Sequence, residues 1–298
     1  MMRVFLIGQP VAHSLSPAMQ NAALRAVGLD WRYELLETPR AELPAAIARL
    51  RQADCAGANV TIPHKENILP YLDDCAPRAR QIGAVNTIVK HNDSLIGENT
   101  DGAGFIGALH AAQVEPRGMR AVTLGAGGAA RAVCFALADA PIARLTILNR
   151  TRARAETLAR HLRAYAPRLE MAVNDWSALE NADLIVNATS VGMAPRVQDP
   201  AFFCGTRASP LPRAFRIPRG AVVFDLVYVP TRTRLLEQAA AAGARAIGGL
   251  GMLAHQGAAA FRLWTGQEPP VEIMLQAARA AIEKNQAEKK NVAFFDRR

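Results

Sequence analysis

The stretch AVTLGAGGAARAV, Ala121 to Val133, constrains this chain more than any other. An apolar strand-like run ends on glycines and passes at once into an alanine-rich helical pattern. Gly125, Gly127 and Ala130 fit the spacing GxGxx(G/A). In such a turn the first glycine bends the chain and the second lets backbone approach a pyrophosphate. The third small residue lets the helix pack on the strand. The free N–H groups of the helix start then face an anion, aided by the helix dipole. A glycine-rich turn alone is common. Here a second strand, RLTILNR, follows at the distance a βαβ unit requires. Gly125, Ala126, Gly127, Gly128 and Ala129 are therefore candidate dinucleotide-binding residues. The alternative is a purely structural βα turn.

The end of the second strand narrows the cofactor. A carboxylate there would hold a ribose 2′-hydroxyl. This chain has Asn149-Arg150-Thr151-Arg152-Ala153-Arg154 instead. Guanidinium groups bind a 2′-phosphate in charge-assisted, often bidentate bonds, and a carboxylate would repel it. Asn149, Arg150, Thr151 and Arg154 are thus candidates for NADP(H). Arg152 is the weakest of the arginines, because one at the start of an exposed helix is often only solvated.

Strand and helix patterns alternate on both sides of this turn. Upstream, VFLIG reads as a strand and Ser16 to Gly28 as a helix, with Ser16 at its N-cap and Pro17 in its first turn. Trp31 to Leu36 reads as a strand. Leu43 to Arg51 is a helix with Leu43, Ile47 and Leu50 on one face, and Gly57 to Ile62 is a strand. Ala84 to Val89 and Ser94 to Gly97 are short strands. Downstream, ADLIVNAT and AVVFDLVY are strands, and the last helices run over Met252 to Trp264 and Val271 to Lys284. The final residues read as a polar, frayed tail, and Ala194 to Gly220 as a flap or insertion without a period.

This alternation predicts an α/β protein of two domains with a cleft between them. Residues 1–101 form a mainly parallel α/β substrate domain, completed by helices in 250–298. Residues 102–249 form a Rossmann-like NADP-binding domain. The break falls near Thr100–Gly104.

Composition excludes more than it selects. The chain has 298 residues and a formal net charge of +9. No apolar run reaches the ~20 residues of a membrane-spanning helix, and no leader with a cleavage site is evident. A cytoplasmic location is expected. The arginines are scattered, without a basic run interleaved with aromatics, so no nucleic-acid partner is expected. A positive field also suits an anionic small molecule. Cys55, Cys75, Cys134 and Cys204 form no close pair, and the histidines have no ligand spacing. Neither a disulfide framework nor a metal site is expected.

One upstream segment asks for a chemical reading. NVTIPHKE, Asn59 to Glu66, sets a lysine just past a strand that stops at a proline. Lys65 is either a solvated loop lysine or a proton-transfer group at a cleft rim. With it come HSLSP (His13 to Pro17), GAVNT (Gly83 to Thr87), NTDG (Asn99 to Gly102), GAGGAAR (Gly125 to Arg131), NRT (Asn149 to Thr151), NATSVGM (Asn187 to Met193), DLVYVPTRT (Asp225 to Thr233) and GLGML..Q (Gly249 to Gln256). In this order the motifs resemble the shikimate/quinate dehydrogenase family, from residue 13 to residue 266.

The resemblance implies NADP-linked reduction of 3-dehydroshikimate to shikimate, in the route to aromatic amino acids. It implies that Lys65 transfers the proton and that Asp101 pairs with it. A free lysine is a poor base at neutral pH, so its surroundings must assist it. Ser14 and Ser16 match positions that bind the substrate carboxylate. Thr61, Asn86 and Gln256 match positions that bond the ring hydroxyls, and Tyr228 matches a substrate-contacting tyrosine. Leu226 and Gly249 match positions at the nicotinamide end. Each has a plain structural alternative: a helix cap for Ser16, a strand threonine for Thr61, a turn asparagine for Asn86, a surface glutamine for Gln256. His13 and His64 are read as structural or supporting, and Thr189, Ser190 and Met193 as lining the cofactor side. The enzyme is expected to be a monomer or homodimer. A quinate or dual-specificity enzyme, and a non-catalytic small-molecule-binding regulator, are the rival readings.

Overall fold

The computed structural model describes residues 1–193 and 208–295, with side chains up to residue 287. Two six-stranded sheets carry the chain. The first is built from β1 (Met2–Gly8), β2 (Trp31–Glu37), β3 (Cys55–Val60), β4 (Asp74–Cys75), β5 (Thr87–His91) and β6 (Ser94–Glu98). Its order is β2-β1-β3-β5-β6-β4. β1 runs parallel to β2 and β3, while β5 is antiparallel to β3 and β6. Helices α1 (Ser16–Ala26), α2 (Leu43–Leu50) and α3 (Pro77–Ile82) connect these strands.

Helix α4 (Asp101–Ala111) then leads to the second sheet, which contains β7 (Arg120–Leu124), β8 (Arg144–Leu148), β9 (Glu170–Val173), β10 (Leu184–Asn187), β11 (Val222–Asp225) and β12 (Arg245–Gly248). Helices α5 (Gly128–Asp139), α6 (Arg152–Tyr165) and α7 (Arg234–Ala241) cross between them. All neighbours in this sheet are parallel, in the order β12-β11-β10-β7-β8-β9. The chain winds outward from β7 on one side and from β10 on the other. The crevice at the carboxyl ends of β7 and β10 is therefore a topological switch point, where open α/β sheets take ligands.

The chain ends in α8 (Leu250–Thr265) and α9 (Val271–Phe295), which pack back on the first sheet. Phe261 and Met274 share a buried cluster with Val4, Leu6 and Met19. The Trp264 indole N–H donates to Ile88 O at 2.9 Å, and Gln20 Nε2 donates to Gly257 O at 2.9 Å. Helix α8 also lies against α4. A Cβ on Gly104 would come within 2.5 Å of the Gln256 Cβ, so only glycine permits this approach.

Several boundaries differ from the sequence reading. β3 starts at Cys55 and stops at Val60; the Thr61 N–H still makes the last ladder bond, to Ile7 O, just before the Pro63 turn. The first helix begins at Ser16 itself, and no side chain of its cap residue, Leu15, bonds the helix. The stretch Thr100–Gly104, where the break is expected, is the start of α4, the helix that leads from the first sheet to the second. β4, α3, β9 and β12 are too short to show a period, and the sequence reading omits α7, although Leu235, Leu236 and Ala239 form its buried face. α9 continues to Phe295, through the stretch read as a frayed tail. Within Ala194–Gly220, residues 194–207 lie outside the described residues. Leu211 and Ile217 are buried beneath the second sheet, so this later part is packed rather than a free flap. Cys55, Cys75 and Cys134 are free thiols, and Cys204 lies outside the described residues. Among the described residues no helix is long and apolar enough to cross a membrane.

His255, on α8 against Gly107 of α4, is held below the usual histidine range by burial. His161 is shifted the same way, by burial first and then by the charges of Arg131 and Arg160. A depressed histidine takes up its proton more readily in the unfolded chain, so stability is lost as pH falls through the ordinary value of ~6.5. Thermal unfolding between pH 7.5 and 5.5 should show the midpoint falling with acidification. His255→Gln should flatten that slope, and an unchanged slope would remove His255 from the effect.

Candidate active site

Lys65 sits in the turn after β3, on the side of the first sheet that faces the glycine-rich loop. Its Nζ donates to Asp101 Oδ2 at 2.5 Å. The aspartate side chain is 5% exposed and the lysine 17%, so the pair is largely withdrawn from water. Asp101 opens α4, where the helix dipole favours a carboxylate. Its own N–H is taken by Asn99 Oδ1 at 3.1 Å. The lysine backbone is held as well, since Lys65 O accepts from Val85 N at 2.8 Å.

The second oxygen of Asp101 accepts from Asn86 Nδ2 at 2.8 Å. That amide group also faces Thr100 Oγ1 at 2.9 Å and Gln256 Oε1 at 3.3 Å. Asn86 Oδ1 accepts from Thr100 N at 2.7 Å and from Thr87 Oγ1 at 3.0 Å. Asn59 joins below, with Nδ2 donating to Asn86 O and Thr87 Oγ1 and with Oδ1 accepting from the Tyr33 hydroxyl at 2.9 Å. Burial raises the Tyr33 phenol well above its usual range, and the Ser16 hydroxyl also bonds to it. Ser14 Oγ accepts from Ser16 N at 3.2 Å, so Ser14 takes the capping part expected of Ser16.

One cavity of about 420 Å³ gathers these groups. Ser14, Ser16, Thr61, Lys65, Asn86 and Asp101 line it, and so do Tyr228 and Gln256. From the second sheet come Gly127, Gly128, Ala129, Arg154, Leu226 and Gly249, with Thr189, Ser190 and Met193 beside them. Gly125 and Ala126 lie beneath the loop rather than on the wall. Gly125 has φ +115°, a conformation that L side chains rarely adopt. A Cβ on Gly127 would meet nothing within 4 Å, leaving backbone open for close approach. A Cβ on Gly128 would fall 2.9 Å from the Lys65 Cβ, so this glycine is one point at which the two halves touch. No side chain caps α5, and its first N–H groups remain available to an anion.

Asn149, Arg150 and Thr151 lie beyond the cavity wall, at the end of β8. Asn149 is fixed by Asn174, whose Oδ1 accepts its N–H at 2.8 Å. Arg150 is exposed and has no ion pair among the described residues. Arg152 is tied to Glu156 one turn on at 2.8 Å. A glycine loop with room above it, a free helix start and an unpaired arginine beside the strand end fit NADP. His64 is fully buried with Nε2 on Thr38 O at 2.7 Å, and His13 is exposed at the cavity edge.

Comparison with known proteins agrees with this geometry. Three family models match: the shikimate dehydrogenase substrate binding domain over residues 6–88, shikimate / quinate 5-dehydrogenase over residues 108–198, and the shikimate 5′-dehydrogenase C-terminal domain over residues 249–279. The NADP(+) shikimate dehydrogenase of Symbiobacterium thermophilum is 49% identical over 284 residues, 93% of this chain and 94% of that protein. The chain belongs to the shikimate/quinate dehydrogenase family. The structure of shikimate 5-dehydrogenase from Thermus thermophilus, in complex with NADP(H) and shikimate, is 43% identical with a TM-score of 0.83. It matches over 94% of this chain and 100% of its own. Quinate dehydrogenase from Corynebacterium glutamicum, in complex with NAD, is 31% identical with a TM-score of 0.82, over 94% and 99% of the two chains.

Within this family fold, the sequence reading left four side chains without a role. Asp225 is fully buried at the end of β11, and burial raises its carboxyl above the usual range. Oδ1 accepts from Asn187 Nδ2 at 2.9 Å and Val227 N at 3.1 Å, and Oδ2 accepts from the Thr233 hydroxyl at 2.6 Å. Asn187 in turn accepts from Thr189 N at 3.1 Å and donates to Val191 O at 3.1 Å. The Asn187–Asp225 bond thus fixes both loops at the nicotinamide end of the expected site. Both residues stood in quoted motifs, but a strand-end carboxylate carries no signal of what it will meet. Arg131, buried on α5, has Nε donating to Ile82 O across the two halves and Nη2 bonded to His161 Nδ1 at 2.8 Å. Glu66 reaches Arg154 on α6 at 2.9 Å.

Removing the Asp225 carboxylate would leave Asn187 and Thr233 buried without their acceptor, at a cost of about 1–3 kcal/mol for each unsatisfied group. Asp225→Ala should therefore lower unfolding stability by about 2–4 kcal/mol in a urea titration. Asp225→Asn keeps one acceptor oxygen and should cost clearly less. Equal losses for the two variants would contradict this account.

Proposed function

We propose that this chain is an NADP-dependent shikimate dehydrogenase, reducing 3-dehydroshikimate to shikimate reversibly. One observation carries the reading. The Lys65–Asp101 pair stands on the cavity wall facing the glycine-rich loop, with Asn86 and Gln256 beside it. Residues 1–101 and 250–298 form the substrate domain, and residues 102–249 form the cofactor domain. The enzyme acts in the cytoplasm as a monomer or homodimer.

NADP, when bound, supplies or accepts the hydride. The protein's own side chains manage the proton and the orientation. In the reducing direction Lys65 Nζ gives a proton to the oxygen on the carbon that receives the hydride; in the oxidising direction it takes that proton back. Asp101 Oδ2 aims the ammonium, and Asn86 fixes the carboxylate through its other oxygen. Ser14 and Ser16, at the start of α1, hold the substrate carboxylate where the helix dipole already favours an anion. Thr61, Asn86, Gln256 and Tyr228 hold the ring. Gly127, Gly128 and Ala129 would present backbone N–H groups to the pyrophosphate, while Gly125, whose N–H is bonded to Leu148 O, and Ala126 would shape the turn that holds them. Asn149, Arg150, Thr151 and Arg154 take the adenosine end with its 2′-phosphate. Leu226 and Gly249 shape the wall at the nicotinamide.

An absorbance assay of the reduced nicotinamide, crossing shikimate and quinate with NADP and NAD, tests this assignment. Turnover confined to shikimate with NADP is expected. Comparable turnover with quinate or NAD would place the chain among the quinate or dual-specificity enzymes, and no turnover at all would favour a regulator. Lys65→Ala should lower kcat roughly 10²–10⁴-fold, with little change in NADP affinity. A near-normal kcat would refute the proton role. Arg150→Asp should weaken NADP at least about tenfold while leaving NAD little changed. Unchanged NADP affinity would reassign the 2′-phosphate.

A further inference from the structure

The cavity wall contains two carboxylates, Asp101 and Glu66, and each sits on a cation of that wall. The Lys65–Asp101 pair belongs to the proposed proton transfer. The other pair has no part in it. Glu66 follows Lys65 in the first half of the molecule, while Arg154 lies in the first turn of α6 in the second. Their bond, Arg154 Nη2 to Glu66 Oε1 at 2.9 Å, therefore spans the cleft. Both side chains are well exposed, 55% for Arg154 and 39% for Glu66. An ion pair in such a setting is weak and screened by salt, so it exchanges partners readily. The other arginines of the segment are differently placed. Arg152 is held by its own helix, and Arg150 carries no carboxylate at all among the described residues.

We propose that Glu66 tunes cofactor choice by competing with the 2′-phosphate of NADP for Arg154. This rests on the reading that Arg154 belongs to the 2′-phosphate site. Without cofactor, the Glu66 carboxylate stands in for the phosphate and joins the two halves through Arg154. A phosphate dianion is a stronger partner for a guanidinium than a single carboxylate. NADP thus takes Arg154 over, and Glu66 is left facing a like charge a few ångströms away. The repulsion opposes NADP and leaves NAD, with a bare 2′-hydroxyl, nearly untouched. Glu66 accordingly narrows the NADP preference that the arginines create, and it speeds release of NADP.

Binding of NADP and of NAD to the full chain, measured by titration calorimetry at low and at moderate salt, tests this directly. Glu66→Gln keeps an acceptor for Arg154 but removes the charge. It should tighten NADP about 3- to 10-fold at low salt, shift NAD less than about twofold, and show a smaller gain as salt rises. Arg154→Gln should weaken NADP, and adding Glu66→Gln to it should bring a smaller gain than Glu66→Gln brings alone, because only the direct repulsion is left to relieve. If Arg154→Gln weakens NADP while Glu66→Gln leaves it unchanged or weaker, the competition is refuted and the reading of Arg154 stands. If Arg154→Gln leaves NADP binding intact, the reading of Arg154 fails, and the proposal fails with it. Equal tightening of NADP and NAD would show a general charge effect and also refute competition at the 2′-position.

Discussion

A single side-chain amide, that of Asn86, holds together the wall of the cleft that carries the Lys65–Asp101 pair. It is 2% exposed, and a buried amide must find partners or cost folding energy. Its partners come from Thr87 at the start of β5, from Thr100 and Asp101 at the start of α4, and from Gln256 on α8. Thr87 is the next residue, the start of α4 comes shortly after it, and α8 is far off in sequence; all three meet at this one amide. The Asp101 carboxylate is thereby fixed before it meets Lys65. The close approach of α4 and α8, possible because residue 104 has no side chain, brings Gln256 within reach.

The second half solves a similar problem with a charge. Asp225 is buried without a cation. It is held by one amide, one backbone N–H and one hydroxyl, at the edge of the switch-point crevice. Carboxylates in such places cost more than neutral groups, and the hydrogen bonds offset that cost. What the fold gains is rigid loops after β10 and β11. The proposed proton site is thus anchored by Asn86 and the proposed nicotinamide end by Asp225.

Much of this was legible in the sequence, for identifiable reasons. The Gly125–Ala130 spacing announces its turn because backbone geometry there tolerates few residues. The long amphipathic helices show their period, and the residues matched to the family, Lys65 and Asp101 among them, meet around one cavity. What stayed hidden depends on tertiary partners. Nothing near Asp225 reveals that Asn187 will bond it. Arg131 reads as one more helix arginine until Ile82 O arrives from the other half. Short elements such as β4 and β12 have too few residues to display alternation. The helix expected to be capped by Ser16 has Leu15 at its cap instead, and the Ser16 N–H meets the hydroxyl of Ser14, which lies outside the helical pattern. The break expected near Thr100–Gly104 falls in the first turn of α4, where Gly104 lies against Gln256 of α8, a contact that only tertiary structure shows.

Gly128 belongs to the cofactor-side helix, yet the atom it would crowd belongs to Lys65. The partition between the group that moves a proton and the cradle built for the hydride carrier is therefore one hydrogen atom thick. Neither half of the gene can drift alone at this point. A larger residue at 128 is tolerable only if the start of α5 and the turn that carries Lys65 draw apart. The two halves are bound to a shared evolutionary history by a side chain that is missing.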